Sequence, residues 1–180
     1  MSSLVDLIYL PLPPSPKLPA HASFVPFTKP YTKGTKIPTQ PCQGNFAMKH
    51  VTFAYPTRPL QPVLLNVNMV FPAYQTTFIV GASGSGKSSV AALLTKLYDA
   101  SYGAVELDGY DLRALDEKWI RENVLLLSQN TVVFSGSLED NVAMKSGVDR
   151  EEVLKACETA LLLDLVKELS GGFVFASPEI

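Results

Sequence analysis

Cysteine and histidine are scarce in this chain. Two of each occur among 180 residues. Cys42 and Cys157 have neither metal-ligand nor redox spacing, so two free thiols in a reducing compartment is the expectation. Basic runs are also lacking. The formal net charge is −2, which leaves no electrostatic footprint for nucleic acid. No apolar run reaches the length of a membrane span. The opening Leu4-Val5-Asp6-Leu7-Ile8-Tyr9-Leu10 is short and carries an acid. It has no basic segment before it, and prolines follow instead of a small-residue cleavage site, so it does not read as a signal peptide. On its own the chain is expected to be soluble and cytosolic, or peripheral to a membrane. Internal repeats are absent.

What is present divides unevenly. Nine of the fourteen prolines lie in residues 1–44, where Pro11-Leu12-Pro13-Pro14-Ser15-Pro16 has polyproline II character. Such composition buries too little apolar surface to offset chain entropy, so a disordered leader is expected, with a partner-docking segment as the alternative. From Asn45 the pattern becomes globular, and 47% hydrophobic content is enough for one core. Phe46 to Tyr55 reads as a strand stopped by Pro56, and Val63 to Phe71 as a second. Ala104 to Leu107 reads as a strand ending in an Asp108-Gly109 turn. Leu115 to Arg121 reads as a short helix. Val124-Leu125-Leu126-Leu127-Ser128 reads as a buried parallel strand. Ser135 to Asn141 caps a helix. Asp149 caps another, with Glu152 three residues on.

One stretch carries chemistry. Gly81-Ala82-Ser83-Gly84-Ser85-Gly86-Lys87-Ser88 satisfies the phosphate-binding pattern G-x-x-x-x-G-K-[ST]. Thr76-Thr77-Phe78-Ile79-Val80 before it reads as a buried strand. Ser89 to Leu97 after it reads as a helix. Strand, glycine turn and helix are the context the pattern needs. Glycines let phosphate oxygens approach main-chain N–H groups, and the helix start points its unpaired donors at the anion. Lys87 supplies a mobile cation for the β- and γ-phosphates, and the Ser88 hydroxyl is placed for Mg²⁺.

Beside that loop, three further landmarks follow a family order. They are Val51-Thr52-Phe53-Ala54-Tyr55-Pro56-Thr57-Arg58-Pro59, Tyr98-Asp99 through Asp108-Gly109, and Ser128-Gln129-Asn130 through Asn141-Val142. From Asn45 to about Phe173 the chain resembles the nucleotide-binding domain of ATP-binding cassette (ABC) transporters, of the multidrug and peptide or pheromone exporter type. The resemblance implies an α/β fold. It would have a P-loop NTPase core, an antiparallel β subdomain and the start of a helical subdomain, incomplete, with residues 174–180 as a divergent tail. It implies ATP and Mg²⁺ as ligands. The implied nucleotide contacts are Tyr55, Ser83, Gly84, Ser85, Gly86, Lys87, Ser88, Ser89 and Gln129, with Ser88 and Gln129 on the metal. Taken alone, Tyr55 is a half-buried strand residue and Gln129 a turn residue. In this setting the Tyr55 ring can stack on adenine, and the Gln129 amide can reach Mg²⁺ or the attacking water. The implied partners are a second nucleotide-binding domain and the transmembrane domains of an exporter, at the cytoplasmic face of a membrane.

Other parts of the family pattern have no counterpart in the chain. No apolar run ending in Asp-Glu follows Gln129. His21 and His50 both precede the phosphate loop, so neither fits the later histidine that meets the γ-phosphate. Leu169-Ser170-Gly171-Gly172 looks like the family signature, but Phe173 stands where a glutamine belongs, and Glu168 to Phe173 fits an earlier turn better. The chain is therefore expected to stop about two-thirds through the domain, and no residue is assigned a catalytic role. Two further possibilities are a non-catalytic interaction protein and a different P-loop enzyme such as a small-molecule kinase. Tyr55 and Gln129 argue against the kinase.

Overall fold

Proline and glycine turns cut the chain into short strands, and the computed structural model shows how they pair. It describes residues 5–9, 33–128, 133–144 and 148–163, with residues 5–9 as backbone only. The chain divides into two units, Met1–Leu126 and Leu127–Ile180.

In the first unit, β2 (Phe46–Phe53) is flanked by β3 (Leu64–Phe71) and β5 (Tyr102–Leu107), and the short β6 (Tyr110–Asp111) completes a four-stranded antiparallel sheet. A separate parallel pair joins β1 (Val5–Tyr9) to β4 (Thr76–Val80). Helix α1 (Lys87–Leu94) follows β4, and α2 (Glu117–Asn123) follows β6. The core lies between the antiparallel sheet and these helices. Met48, Val51, Phe53 and Leu64 from the strands meet Val90 and Leu93 of α1 and Ile120 of α2, all nearly inaccessible. Burying each such side chain contributes about 1.5–3 kcal/mol.

Several local expectations are met for local reasons. Asp108 (φ 50°) and Gly109 (φ 81°) are both left-handed, as a two-residue turn between β5 and β6 requires. The short helix expected over Leu115 to Arg121 forms as α2, with Asp116 capping it by accepting from the Trp119 N–H. In the second unit, Ser137 and Asp140 form a reciprocal capping box at the start of α3 (Leu138–Ala143). Asp149 caps α4 (Arg150–Thr159) by accepting from the Glu152 N–H at 2.8 Å. Val153 and Cys157 are the buried residues of α4.

Two expectations fail. Val124 to Ser128 is not a strand, and it is not buried. Val124 is extended (φ −127°, ψ 119°), but Leu125 is 80% and Leu127 86% exposed. Extended backbone becomes a strand only when a neighbour accepts its ladder, and none of the described residues does so. The phosphate strand β4 lies where expected but is only half-buried, with Phe78 53% exposed. Among the described residues β4 has a ladder on one edge, to β1.

Among the described residues of the proline-rich first 44, two pieces carry structure. One is β1. The other approaches the β5–β6 hairpin and the segment leading into α2. The N–H groups of Thr35 and Lys36 donate to the Ala114 carbonyl at 3.1 and 2.9 Å. The Asp108 carboxylate accepts from the Gln43 and Asn45 N–H groups at 2.8 and 2.9 Å. Burial works to raise the Asp108 carboxyl, but the Asn45, Gln43 and Gly44 amides and the Cys42 thiol outweigh it and hold it below its usual range. Burial, followed by the Asp108 charge, pushes the Cys42 thiol up. Asp111 is likewise held low. Burial opposes ionisation there too, but the Arg113 guanidinium donates to the carboxylate and prevails.

Candidate nucleotide-binding site

The loop from Gly81 to Ser88 takes the shape its glycines permit. Gly84 (φ 80°) and Gly86 (φ 96°) are left-handed, and Gly86 is the N-terminal cap residue of α1. A Cβ at Gly86 would come within 2.8 Å of Leu64 Cδ2 and 3.2 Å of Val63 Cγ1. Glycine is thus required there twice, by conformation and by packing. The Val90 N–H donates to the Gly86 carbonyl at 3.0 Å, closing the first helical turn. The N–H groups at the helix start are left without intrahelical partners, which is what an anion needs.

The side chains of the loop sort into two groups. Ser83 and Ser88 are exposed, and Lys87 is half-buried. The Lys87 ammonium folds back on its own loop, donating to the Gly81 and Ala82 carbonyls at 2.8 Å each. A long cation held by two neutral carbonyls is a modest attachment that an anionic oxygen can replace. Ser85 and Ser89 are buried. The Ser85 hydroxyl has no hydrogen-bond partner among the described residues. A buried unpaired hydroxyl is costly, so an orphan in the middle of a phosphate loop fits a ligand that supplies acceptor oxygens.

Tyr55 joins the end of β2 to this loop. Its hydroxyl lies 2.9 Å from the Ser89 Oγ. Its ring packs edge-on to Phe53 (centroids 4.9 Å apart) and to Tyr98 (5.2 Å). The structure therefore brings Tyr55, Ser85, Gly86, Lys87, Ser88 and Ser89 together around one helix start. It adds Tyr98, which opens one of the family landmarks, and Val63 and Leu64, which no landmark marks, as supports. Gln129 lies outside the described residues. His50 sits away from this loop on an exposed bulge, its Nδ1 2.9 Å from the Asn66 Oδ1.

These residues fit a nucleoside triphosphate: left-handed glycines, free donors at a helix start, one cation held only by neutral carbonyls, one orphan hydroxyl. For Mg²⁺ the exposed Ser88 hydroxyl is the donor in place. The described residues hold no cluster of three His, Cys, Asp or Glu side chains that could bind a metal alone. A metal here would take most of its ligands from phosphate and water.

Strand, glycine loop and helix, with lysine and serine at the helix start, define an α/β domain of the phosphate-loop class. The ABC transporter family profile matches residues 64–173, and the chain belongs to that family. It is 40% identical over 139 residues to the ATP-dependent lipid A-core flippase of Photorhabdus laumondii, covering 76% of this chain and 24% of that protein. It is 36% identical over 132 residues to multidrug resistance protein pgp-1 of Caenorhabditis elegans, covering 73% of this chain and 10% of that one. Among solved structures it is similar to a bacterial Atm1-family ABC exporter with ATP bound. The TM-score is 0.69 at 26% identity, covering 80% of this chain and 26% of that chain. The chain thus spans between a tenth and a quarter of the length of these relatives. Among the described residues no helix is long and apolar enough to cross a membrane.

Proposed function

We propose that this chain is the Mg-ATP-binding part of an exporter ATPase and that it does not turn ATP over by itself. The observation that carries the reading is the built phosphate cradle, with Tyr55 bonded to Ser89 beside it. Lys87 and the α1 N-terminus would hold the β- and γ-phosphates, and the Ser88 hydroxyl would hold Mg²⁺. Gln129 would meet the metal or the attacking water. The Tyr55 ring, between β2 and α1, would offer its apolar face to adenine. When bound, Mg²⁺ supplies neutralising charge to the phosphates.

Hydrolysis needs a base or water-positioning group as well as a cradle. The sequence has no apolar run ending in Asp-Glu after Gln129 and no histidine there. Full activity is therefore assigned to an assembly with a second nucleotide-binding domain and transmembrane domains, at the cytoplasmic face of a membrane. Phosphate release by the pure chain tests this. The expected result is no steady turnover above background. Sustained hydrolysis abolished by Lys87→Ala would contradict it.

A second reading is favoured by one observation. Leu125 and Leu127 lie almost fully exposed in a run expected to be buried. A non-catalytic cassette that acts by binding a partner would present such a run. Retention of partner binding by a Lys87→Ala variant that has lost nucleotide would support this second reading over the first.

A further inference from the structure

The phosphate strand β4 owes its one observed ladder to Val5–Tyr9. We propose that residues 5–9 act as a built-in complementing strand, and that the grip of the loop on phosphate depends on their being docked. The dependence on phosphate rests on the nucleotide reading above, whereas the docking does not.

The register carries the argument. Val5 pairs with Thr76 and Tyr9 with Val80, so the ladder runs the full length of β4 and ends one residue before Gly81. Whatever fixes Val80 fixes the entry to the loop. A single short strand is not stable alone, and a two-stranded pair is marginal. With Phe78 half-exposed, packing holds β4 only in part, and the β1 ladder adds to that hold. Parallel strands cannot be joined by a tight turn. Here the connection runs from Leu10 to Gln75 and includes β2 and β3. Closing so long a loop costs entropy that five residues of ladder must offset. The pair therefore belongs to the least stable part of the fold. A segment that can leave its strand without unfolding the antiparallel sheet is a device for setting nucleotide affinity. A partner that sequesters residues 1–10, or competes for the β4 edge, would lower it.

Two measurements on the full chain test this. The first is disulfide trapping of Leu7→Cys with Phe78→Cys, partners in the observed register. Leu7→Cys with Ile37→Cys is the control, and products are mapped by mass spectrometry. The 7–78 bridge is expected to form at least about tenfold faster than the control bridge. Equal or slower formation overturns the proposal. The second is hydrogen exchange in Leu7→Pro/Ile8→Pro, which removes whichever of the two adjacent N–H groups faces β4. Protection at Thr76 to Val80 is expected to fall at least about tenfold, the equivalent of one net hydrogen bond, while β2 and β5 amides keep theirs. Affinity for a fluorescent ATP analogue is expected to fall by a similar factor. Unchanged protection at Thr76 to Val80 overturns the proposal. If the proline variant unfolds throughout, the trapping result decides. Trapping at 7–78 in a chain that binds no nucleotide would sink the nucleotide reading and leave the docking intact. Nucleotide binding without trapping would sink this inference alone.

Discussion

The Tyr55 hydroxyl and the Ser89 hydroxyl are 2.9 Å apart, linking the end of β2 to the first turn of α1. Ser89 is buried, so its hydroxyl depends on this partner. Tyr55→Phe removes the partner and keeps the ring. The expected cost is about 1–3 kcal/mol of stability, from leaving a buried hydroxyl unpaired. Denaturant unfolding of the variant measures it. An unchanged midpoint would show that the bond does not form.

Gly86→Ala probes the loop itself. The added Cβ must sit at φ 96° and within 2.8 Å of Leu64 Cδ2. Strain of this kind costs about 1–3 kcal/mol. The variant is expected to unfold at lower temperature and to bind nucleotide more weakly. Gly109→Ala is the comparison, since no atom lies within 4 Å of its added Cβ and only the φ of 81° is strained. Nucleotide affinity should be retained in that variant.

Acid should destabilise the first unit. Asp108 and Asp111 are both held below the usual carboxylate range in the folded chain. Their contribution is full above the unfolded value, about 3.9, and is lost as pH falls below it. Thermal unfolding between pH 7 and pH 3 should show a fall concentrated below about pH 4. Asp108→Asn should flatten that fall while lowering stability at neutral pH. A variant with the same pH profile as the parent would exclude Asp108 as a source.

The exposed leucines invite the opposite kind of substitution. Leu125→Lys and Leu127→Lys replace side chains that are 80% and 86% exposed. Changes at such positions stay within about 0.5 kcal/mol, and the added charge should raise solubility. A loss of several kcal/mol, read by denaturant unfolding, would instead place these residues in a packed strand.

These cases show where the chain was legible. The phosphate loop, the Asp108-Gly109 turn and the caps at Ser137 and Asp149 are local chemistry, and each is written in a few adjacent residues. Val124 to Ser128 was misread because hydrophobicity states a preference for burial, whereas burial needs a neighbour. The Tyr55–Ser89 bond joins two separately recognised residues, and no local pattern says that they touch. The pairing of Val5–Tyr9 with Thr76–Val80 was invisible for a related reason. A five-residue apolar stretch carrying an acid fits many contexts, and no turn residue links it to its partner.

The central claim is that Gly81 to Ser88 is a working ATP cradle. Titration of the full chain with a fluorescent ATP analogue, with and without Mg²⁺, tests it most directly. The expected result is saturable, Mg²⁺-dependent binding that Lys87→Ala weakens at least about tenfold, as loss of a charge-assisted contact requires. Binding that is absent, or that Lys87→Ala leaves unchanged, would contradict the account.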